Sequence, residues 1–123
     1  MEQKRPNIIT LDARGRSLGR VSSQAAAYLR GKMSASFERN AMPRQKVIIL
    51  NAAEVRFTGR KLAQRTRERY SGYPSGLKNI PYSVEFKKSP SKFIEKAISG
   101  MLPRNRLKKQ MLKNLTIYVG NQK

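Results

Sequence analysis

The chain contains no cysteine and no histidine among its 123 residues. The absence of Cys excludes disulfide frameworks, thiolate zinc sites and Cys nucleophiles. The absence of His removes the commonest general base and the commonest metal ligand. The seven carboxylate residues stand singly: Glu2, Asp12, Glu38, Glu54, Glu68, Glu85 and Glu95. Because no two of them form a local pair that could chelate a metal or share acid–base work, we expect neither an enzyme nor a cofactor.

Long apolar runs are also missing from the sequence. No segment approaches the ~20 apolar residues needed to span a bilayer. Residues 1–6 have no apolar stretch of the signal-peptide type. We therefore expect a soluble cytoplasmic protein with no membrane partner. Attachment to a membrane surface would need a basic amphipathic helix, and the apolar positions in this sequence are better explained as core.

Positive charge is the most abundant feature of the sequence. Lys and Arg number 27 against 7 Asp and Glu, which gives a formal net charge of +20. The basic residues extend from Lys4 to Lys123 rather than forming a tail. A compact domain with this charge repels itself unless a polyanion neutralises it. The composition therefore indicates nucleic acid as a resident partner.

Three basic clusters are the candidate RNA-binding residues. The first flanks the first predicted helix and contains Arg14, Arg16, Arg20, Arg30 and Lys32. The second surrounds Gly59 and contains Arg56, Arg60, Lys61, Arg65, Arg67 and Arg69. The third follows Pro103 and contains Arg104, Arg106, Lys108, Lys109 and Lys113. A single cluster is often only a solvated face, but three clusters with almost no interleaved acid favour contacts with phosphate. The excess of Arg in the first two favours forked contacts.

The first third of the chain predicts a strand–helix–strand unit. Residues 8–12 form a short β-branched run that is typical of a strand. Ser17 and Gly31 are typical residues for the start and the stop of the helix that follows. One face of this helix carries Leu18, Val21, Ala25, Tyr28 and Leu29. Residues 47–50 are an unbroken apolar run that suits a strand buried in a parallel sheet. A βαβ unit with a right-handed crossover is therefore predicted.

The middle of the chain is less regular. Asn51 is expected to cap a short helical turn at 52–54, and residues 55–58 predict a strand. The charged segment 60–70 is compatible with either a helix or an exposed strand. Residues 71–82 hold two Gly and two Pro, so we expect a loop. A loop of this length in a small domain is usually functional or disordered.

The last third predicts a helix that begins at Ser89 and Pro90, in the N-cap and first helical positions. Its apolar stripe consists of Phe93, Ile94, Ala97, Ile98 and Met101. Because Met101 and Leu102 end this stripe, both side chains are expected to enter the core.

After Pro103, a short helix at 104–114 and a final strand at 116–119 are predicted. No repeat or composition break divides the sequence. We therefore predict one domain over residues 1–123, with a three-layer α/β/α fold around a mostly parallel sheet and a Gly/Pro-rich basic loop.

Two smaller motifs carry open alternatives. Gly15 and Gly19 lie between a strand and a helix, but their spacing does not match a dinucleotide or P-loop motif. We therefore expect a tight turn at Gly15, with contact between its backbone amides and an RNA phosphate as a further alternative.

The Gly/Pro-rich loop is the second motif. Tyr70 and Tyr73 border or lie in it, beside Arg67 and Arg69, and Lys78 adds charge. The tyrosines are compatible with base stacking in looped RNA. Anchoring of the loop to the domain is an equal alternative.

Several segments together resemble a known family. The residues at 100–107 read Gly-Met-Leu-Pro-Arg-Asn-Arg-Leu, and matching positions continue to residue 121. Further matching motifs lie at 12–20, 29–32, 47–52, 58–61 and 72–78. In their order along the chain, these segments resemble the family of large-subunit ribosomal protein thirteen, the universal L-thirteen group. The resemblance implies a three-layer α/β fold, residence in the large ribosomal subunit and contacts with large-subunit ribosomal RNA. It also implies a role early in subunit assembly and no catalytic activity.

From the charge and the resemblance we expect a structural constituent of the large ribosomal subunit. It would stabilise large-subunit ribosomal RNA by neutralising phosphates, beside neighbouring large-subunit ribosomal proteins and without a small-molecule substrate. The cytoplasmic ribosome is the expected location, with an organellar ribosome left open. The alternative is an RNA-binding regulator of messenger RNA outside the ribosome.

Overall fold

The computed structural model of the chain describes residues 7–32 and 45–120. The first half consists of β1 (Ile8–Asp12), α1 (Leu18–Arg30), β2 (Lys46–Leu50), a 3₁₀ turn (Ala52–Glu54) and α2 (Lys61–Gln64). The second half consists of β3 (Thr66–Tyr70), β4 (Leu77–Pro81), α3 (Tyr82–Lys88), α4 (Pro90–Met101), α5 (Leu107–Lys113) and β5 (Leu115–Ile117). Within these residues no helix has the length and apolar character needed to cross a membrane.

The strands form two separate sheets. β1, β2 and β5 make a parallel sheet with β2 in the centre. In this sheet Val47 lies beside Ile9 on one side and Leu115 on the other. β3 and β4 form an antiparallel hairpin of their own. The predicted α/β class with a mostly parallel sheet is confirmed.

One face of the parallel sheet carries the core. The residues that form this core cluster are Leu11, Val21, Ala25, Leu29, Val47, Ile49, Ile94, Ile98, Leu102 and Met111, with smaller neighbours. α1 contacts α4 directly, and α5 contacts both, so these three helices lie on the same side of the sheet. The described residues thus show one helical layer, and the second layer of the expected three-layer arrangement stays a prediction.

The strand, helix and parallel strand predicted for the first third are confirmed. β1 occupies the predicted residues, and β2 begins one residue early, at Lys46. α1 ends at Gly31, whose φ of 76° lies in the left-handed region that favours glycine. Ser17 occupies the N-cap position with an extended backbone, but its side chain makes no capping hydrogen bond.

The strand predicted at 55–58 is wrong. Only Arg56 pairs, in an isolated bridge with Ser17. Phe57 instead packs edge-on against Phe86 and Phe93, at ring-centroid distances of 5.1 and 5.7 Å. Packing of this half-buried ring against α3 and α4 replaces further strand pairing after one bridge.

The charged segment and the predicted loop are more ordered than expected. Residues 60–70 contain both alternatives, a short helix and then a strand. The loop prediction for 71–82 is wrong in its second half, because β4 begins at Leu77 and α3 begins at Tyr82. The loop itself is the six-residue tip of a hairpin, and α3 was not predicted.

The last third follows the prediction with shifted boundaries. α4 is confirmed, with Ser89 at its N-cap position and Pro90 in its first turn. α5 begins at Leu107 rather than at 104. β5 covers Leu115–Ile117 rather than 116–119.

Candidate nucleic-acid interface

A basic groove lies where the start of α1 meets the segment after the 3₁₀ turn. Two adjoining concavities of about 500 Å³ each share Ser17, Arg20, Arg56 and Thr58 in their walls. The cations that line this basic groove are Arg16, Arg20, Arg56, Lys61 and Arg65. None of its described lining residues is Asp or Glu. The groove therefore offers five cations and no acidic side chain to an anion.

Backbone hydrogen bonds fix the two walls of the groove against each other. The amide of Arg56 donates to the carbonyl of Arg16 at 2.8 Å, and the amide of Leu18 donates to the carbonyl of Arg56 at 3.2 Å. This pairing places the side chains of Arg20 and Arg56, which are 36 residues apart in sequence, along one groove. The walls are thus set by main-chain pairing and not by the charged side chains.

The turn between β1 and α1 closes one end of the groove. Gly15 adopts a φ of 69° there, as a tight turn requires. Its amide donates to the carbonyl of Glu54 at 3.1 Å, and the amide of Arg14 donates to the carboxylate of Asp12 at 3.0 Å. Because these donors already have protein acceptors, a phosphate contact at this turn falls to side chains.

Asp12 has a structural role at this turn. Its Oδ1 also accepts a hydrogen bond of 2.9 Å from the side-chain amide of Asn51. The bond from Asn51 and the bond from the backbone of Arg14 together lower the pKa of the Asp12 carboxyl. Because Asp12 ends β1 and Asn51 follows β2, this carboxylate ties together the carboxyl ends of two parallel strands.

The other members of the first cluster do not share one surface. Arg14 is exposed and forms an ion pair of 2.8 Å with Glu54, a type of pair that adds little stability at a surface. Arg30 lies ten residues after Arg20 on α1, which is roughly 15 Å along a helix axis. Arg30 and Lys32 are therefore at the end of α1 remote from the groove.

The β3–β4 hairpin presents two different faces. Arg69 pairs with Lys78 and Tyr70 pairs with Leu77. Because side chains alternate across a strand, the cationic pair and the apolar pair lie on opposite faces. Tyr70 is 69% exposed, and Tyr73 at the tip is 74% exposed. These exposed rings favour stacking on RNA bases over anchoring of the loop to the domain. The stacking itself stays a prediction.

Arg67 differs from the other cations of the second cluster. Its side chain is 26% exposed and forms a 3.0 Å ion pair with Glu85. Its guanidinium carbon lies 5.6 Å from the centre of the Phe93 ring and 5.9 Å from that of Tyr82. The structure thus directs Arg67 into the protein, whereas Arg69 two residues later is exposed.

The third cluster forms a surface of its own. Arg104 and Arg106 are exposed in the turn before α5, and Lys109 and Lys113 are exposed on that helix. Lys108 is half-buried. No member of this cluster is among the described residues that line the basic groove. Charge is therefore presented on at least two surfaces.

Comparison with known proteins decides the family. The model of the family described as ribosomal protein L13 matches residues 6–123. The chain belongs to the ribosomal protein L13 family.

Individual members of the L13 family match over most of their length. The chain is 44% identical to the large ribosomal subunit protein uL13 of Natranaerobius thermophilus, over 92% of this chain and 79% of the relative. It is 39% identical to the Thermus thermophilus protein of the same name, over 97% of this chain and 85% of the relative. Identity to the Carboxydothermus hydrogenoformans protein is 46%, over 89% and 77% respectively.

Sequence reasoning missed the neutral part of the groove in this L13 member. Met101 was expected in the core, but it is 44% exposed and lines the groove beside Phe57. Leu102 is 4% exposed and belongs to the core, as predicted. The stripe of α4 ends between these two positions, and helical spacing alone does not locate that boundary.

The carboxylates are dispersed in the fold as well as in the sequence. Among the described residues, no group of three or more Asp or Glu could hold a metal ion. At the turn that closes the groove, Asp12 accepts a hydrogen bond from Asn51 and Glu54 forms an ion pair with Arg14. These acids therefore serve the fold of the turn.

Proposed function

We propose that this L13-family chain is a structural constituent of the large ribosomal subunit and binds large-subunit ribosomal RNA as one domain. Its relatives are named as large ribosomal subunit proteins, which supports a place in that subunit. The location we propose is the cytoplasmic ribosome, beside other ribosomal proteins. The proposed role is non-catalytic.

The basic groove is the observation that carries the proposal. Its five cations come from the β1–α1 turn, from α1, from the segment after the 3₁₀ turn, from α2 and from the residue that follows α2, and its described lining residues include no acid. Cations fixed in this way release counterions when they contact phosphates, and this release supplies much of the binding free energy. Contacts of this kind position RNA by its backbone and shape rather than by base sequence.

The hairpin and the third cluster extend this interaction. Arg69 and Lys78 offer cations on one face of the hairpin, and Tyr70 and Tyr73 offer exposed rings for stacking on unpaired bases. The cluster on and before α5 offers a further basic surface. A protein that binds RNA on several surfaces holds separate RNA segments together. From this capacity we infer a role early in the assembly of the subunit.

Sedimentation of the native protein tests the proposal. In a lysate with high magnesium, we expect the tagged chain to sediment with the large ribosomal subunit. Arg20→Glu with Arg56→Glu places two acids in the groove, and this double variant is expected to shift towards the top of the gradient. Lys92→Glu is the control, because Lys92 is exposed on α4 outside the groove lining. A wild-type chain that sediments only with messenger RNA would favour the regulatory alternative.

A further inference from the structure

Arg67 and Glu85 connect the β3–β4 hairpin with the helices beside it. Arg67 lies on β3 and Glu85 on α3, and they form a 3.0 Å ion pair. The same Oε1 atom of Glu85 accepts a 2.9 Å hydrogen bond from Nζ of Lys96 on α4. One carboxylate, 18% exposed, thus joins three elements.

Aromatic rings complete this junction. The guanidinium of Arg67 lies over Phe93 of α4 and Tyr82 of α3, in the range of cation–π contacts. Phe93 is 2% exposed, and its ring packs edge-on against Tyr82 at a centroid distance of 5.1 Å. Arg67 therefore reaches from the hairpin to a ring that is fixed in the body of the protein.

We propose that Arg67, Glu85 and Lys96 form a clasp that positions the β3–β4 hairpin for RNA, so that Arg67 is a positioning residue and not a phosphate contact. This inference rests on the function proposed above. We use the name clasp for these three residues.

The hairpin needs such support for two physical reasons. A two-stranded hairpin is marginally stable by itself in water. In this one, Arg69 faces Lys78 directly, and like charges in that arrangement are destabilising. The exposed cations are useful for RNA only if the strands that carry them are held in place, because ordering them at binding would weaken the affinity.

Two carboxylate variants separate loss of the clasp from simple loss of a negative charge. Glu85→Gln and Glu68→Gln each remove one negative charge near the hairpin, but Glu68 is exposed on β3 and forms no ion pair with the described residues. Loss of the clasp predicts that Glu85→Gln lowers affinity for protein-free large-subunit ribosomal RNA roughly fivefold, about 1 kcal/mol. Glu68→Gln raises the affinity or leaves it unchanged. If Glu85→Gln raises the affinity for RNA by as much as Glu68→Gln does, the proposal is wrong.

Hydrogen exchange of the free protein tests the clasp without RNA. Arg67→Gln and Glu85→Gln are expected to accelerate exchange of the β3–β4 amides and to leave the amides of β2 unchanged. Arg69→Gln is the matched control, and its hairpin should exchange no faster than that of the wild type. Wild-type hairpin exchange in both clasp variants would overturn the inference. Failure of the wild-type protein to bind RNA would contradict the proposed function instead, and the exchange result would still decide the clasp.

Discussion

Arg69 of β3 and Lys78 of β4 are direct cross-strand partners in an exposed hairpin. Like charges placed directly opposite each other destabilise a sheet, in which favourable cross-strand pairs contribute roughly 0.2–1 kcal/mol. The free protein retains this repulsion, and a bound polyanion would remove it. The pair is therefore better suited to the RNA-bound protein than to the free protein.

Replacement of one member should separate hairpin stability from RNA binding. In Lys78→Glu the partner of Arg69 becomes an opposite charge, so we expect slower hydrogen exchange of the hairpin amides in the free protein. Affinity for RNA should fall by about 1.5–3 kcal/mol, the range for a lost hydrogen bond to a charged group. Lys78→Gln is the control, with an intermediate exchange rate. Faster exchange in Lys78→Glu than in the wild type would show that the repulsion does not govern this hairpin.

A substitution in the groove should lower RNA affinity without changing the stability of the fold. Arg20 is exposed and lines both concavities of the groove, so Arg20→Gln should leave the melting temperature unchanged. Its RNA affinity should fall by about 1.5–3 kcal/mol. Lys92→Gln removes the same charge outside the groove lining and should change the affinity by less. Equal losses from both variants would mean that net charge, and not the groove, determines binding.

Adjacent residues at the end of α4 should differ in their effect on stability. Leu102 is 4% exposed in the core, and Met101 is 44% exposed in the groove wall. Leu102→Ala should lower the free energy of unfolding by about 2–5 kcal/mol, because it leaves a cavity. Met101→Ala should cost far less. Urea unfolding of the two variants measures the difference, and equal costs would contradict the placement of Met101 at the surface.

Asp12 predicts a pH dependence of stability. The bonds from Asn51 and Arg14 lower the pKa of this carboxyl in the folded protein, so its ionised form stabilises the fold at pH values above the ordinary aspartate pKa of about 3.9. This stabilisation is lost as the pH falls through the lower folded-state pKa. Asp12→Asn should therefore be less stable than the wild type at pH 7, with a difference that narrows below about pH 4. A difference that stays constant between pH 7 and pH 3 would exclude this linkage.

The parts of the fold that follow from the sequence are those with strong apolar periodicity. α1 and β2 were predicted because Val21, Leu29, Val47 and Ile49 recur with the spacing of a helix and of a buried strand, and all four are buried. α3 was not predicted, because its seven residues include no fully buried position to mark a face. Short elements of this kind are set by tertiary contacts rather than by local pattern.

The candidate site was predicted by residue type but not by arrangement. Charge alone indicated Arg20, Arg56 and Arg67 equally, although Arg20 and Arg56 line one groove and Arg67 is directed into the protein. The bridge between Ser17 and Arg56 places Arg56 in the groove wall. The contact with the ring of Phe93 holds Arg67 against the body of the protein. Both contacts join residues that are distant in the chain, so a linear pattern does not reveal them.

The salt dependence of RNA binding tests the central claim most directly. Affinity of the purified chain for protein-free large-subunit ribosomal RNA is measured over a range of salt concentrations. If the five groove cations contact phosphates, at about −0.7 per contact on single strands, the slope of log affinity against log salt should be about −3.5 or steeper. An affinity that is nearly independent of salt would contradict phosphate neutralisation as the basis of binding.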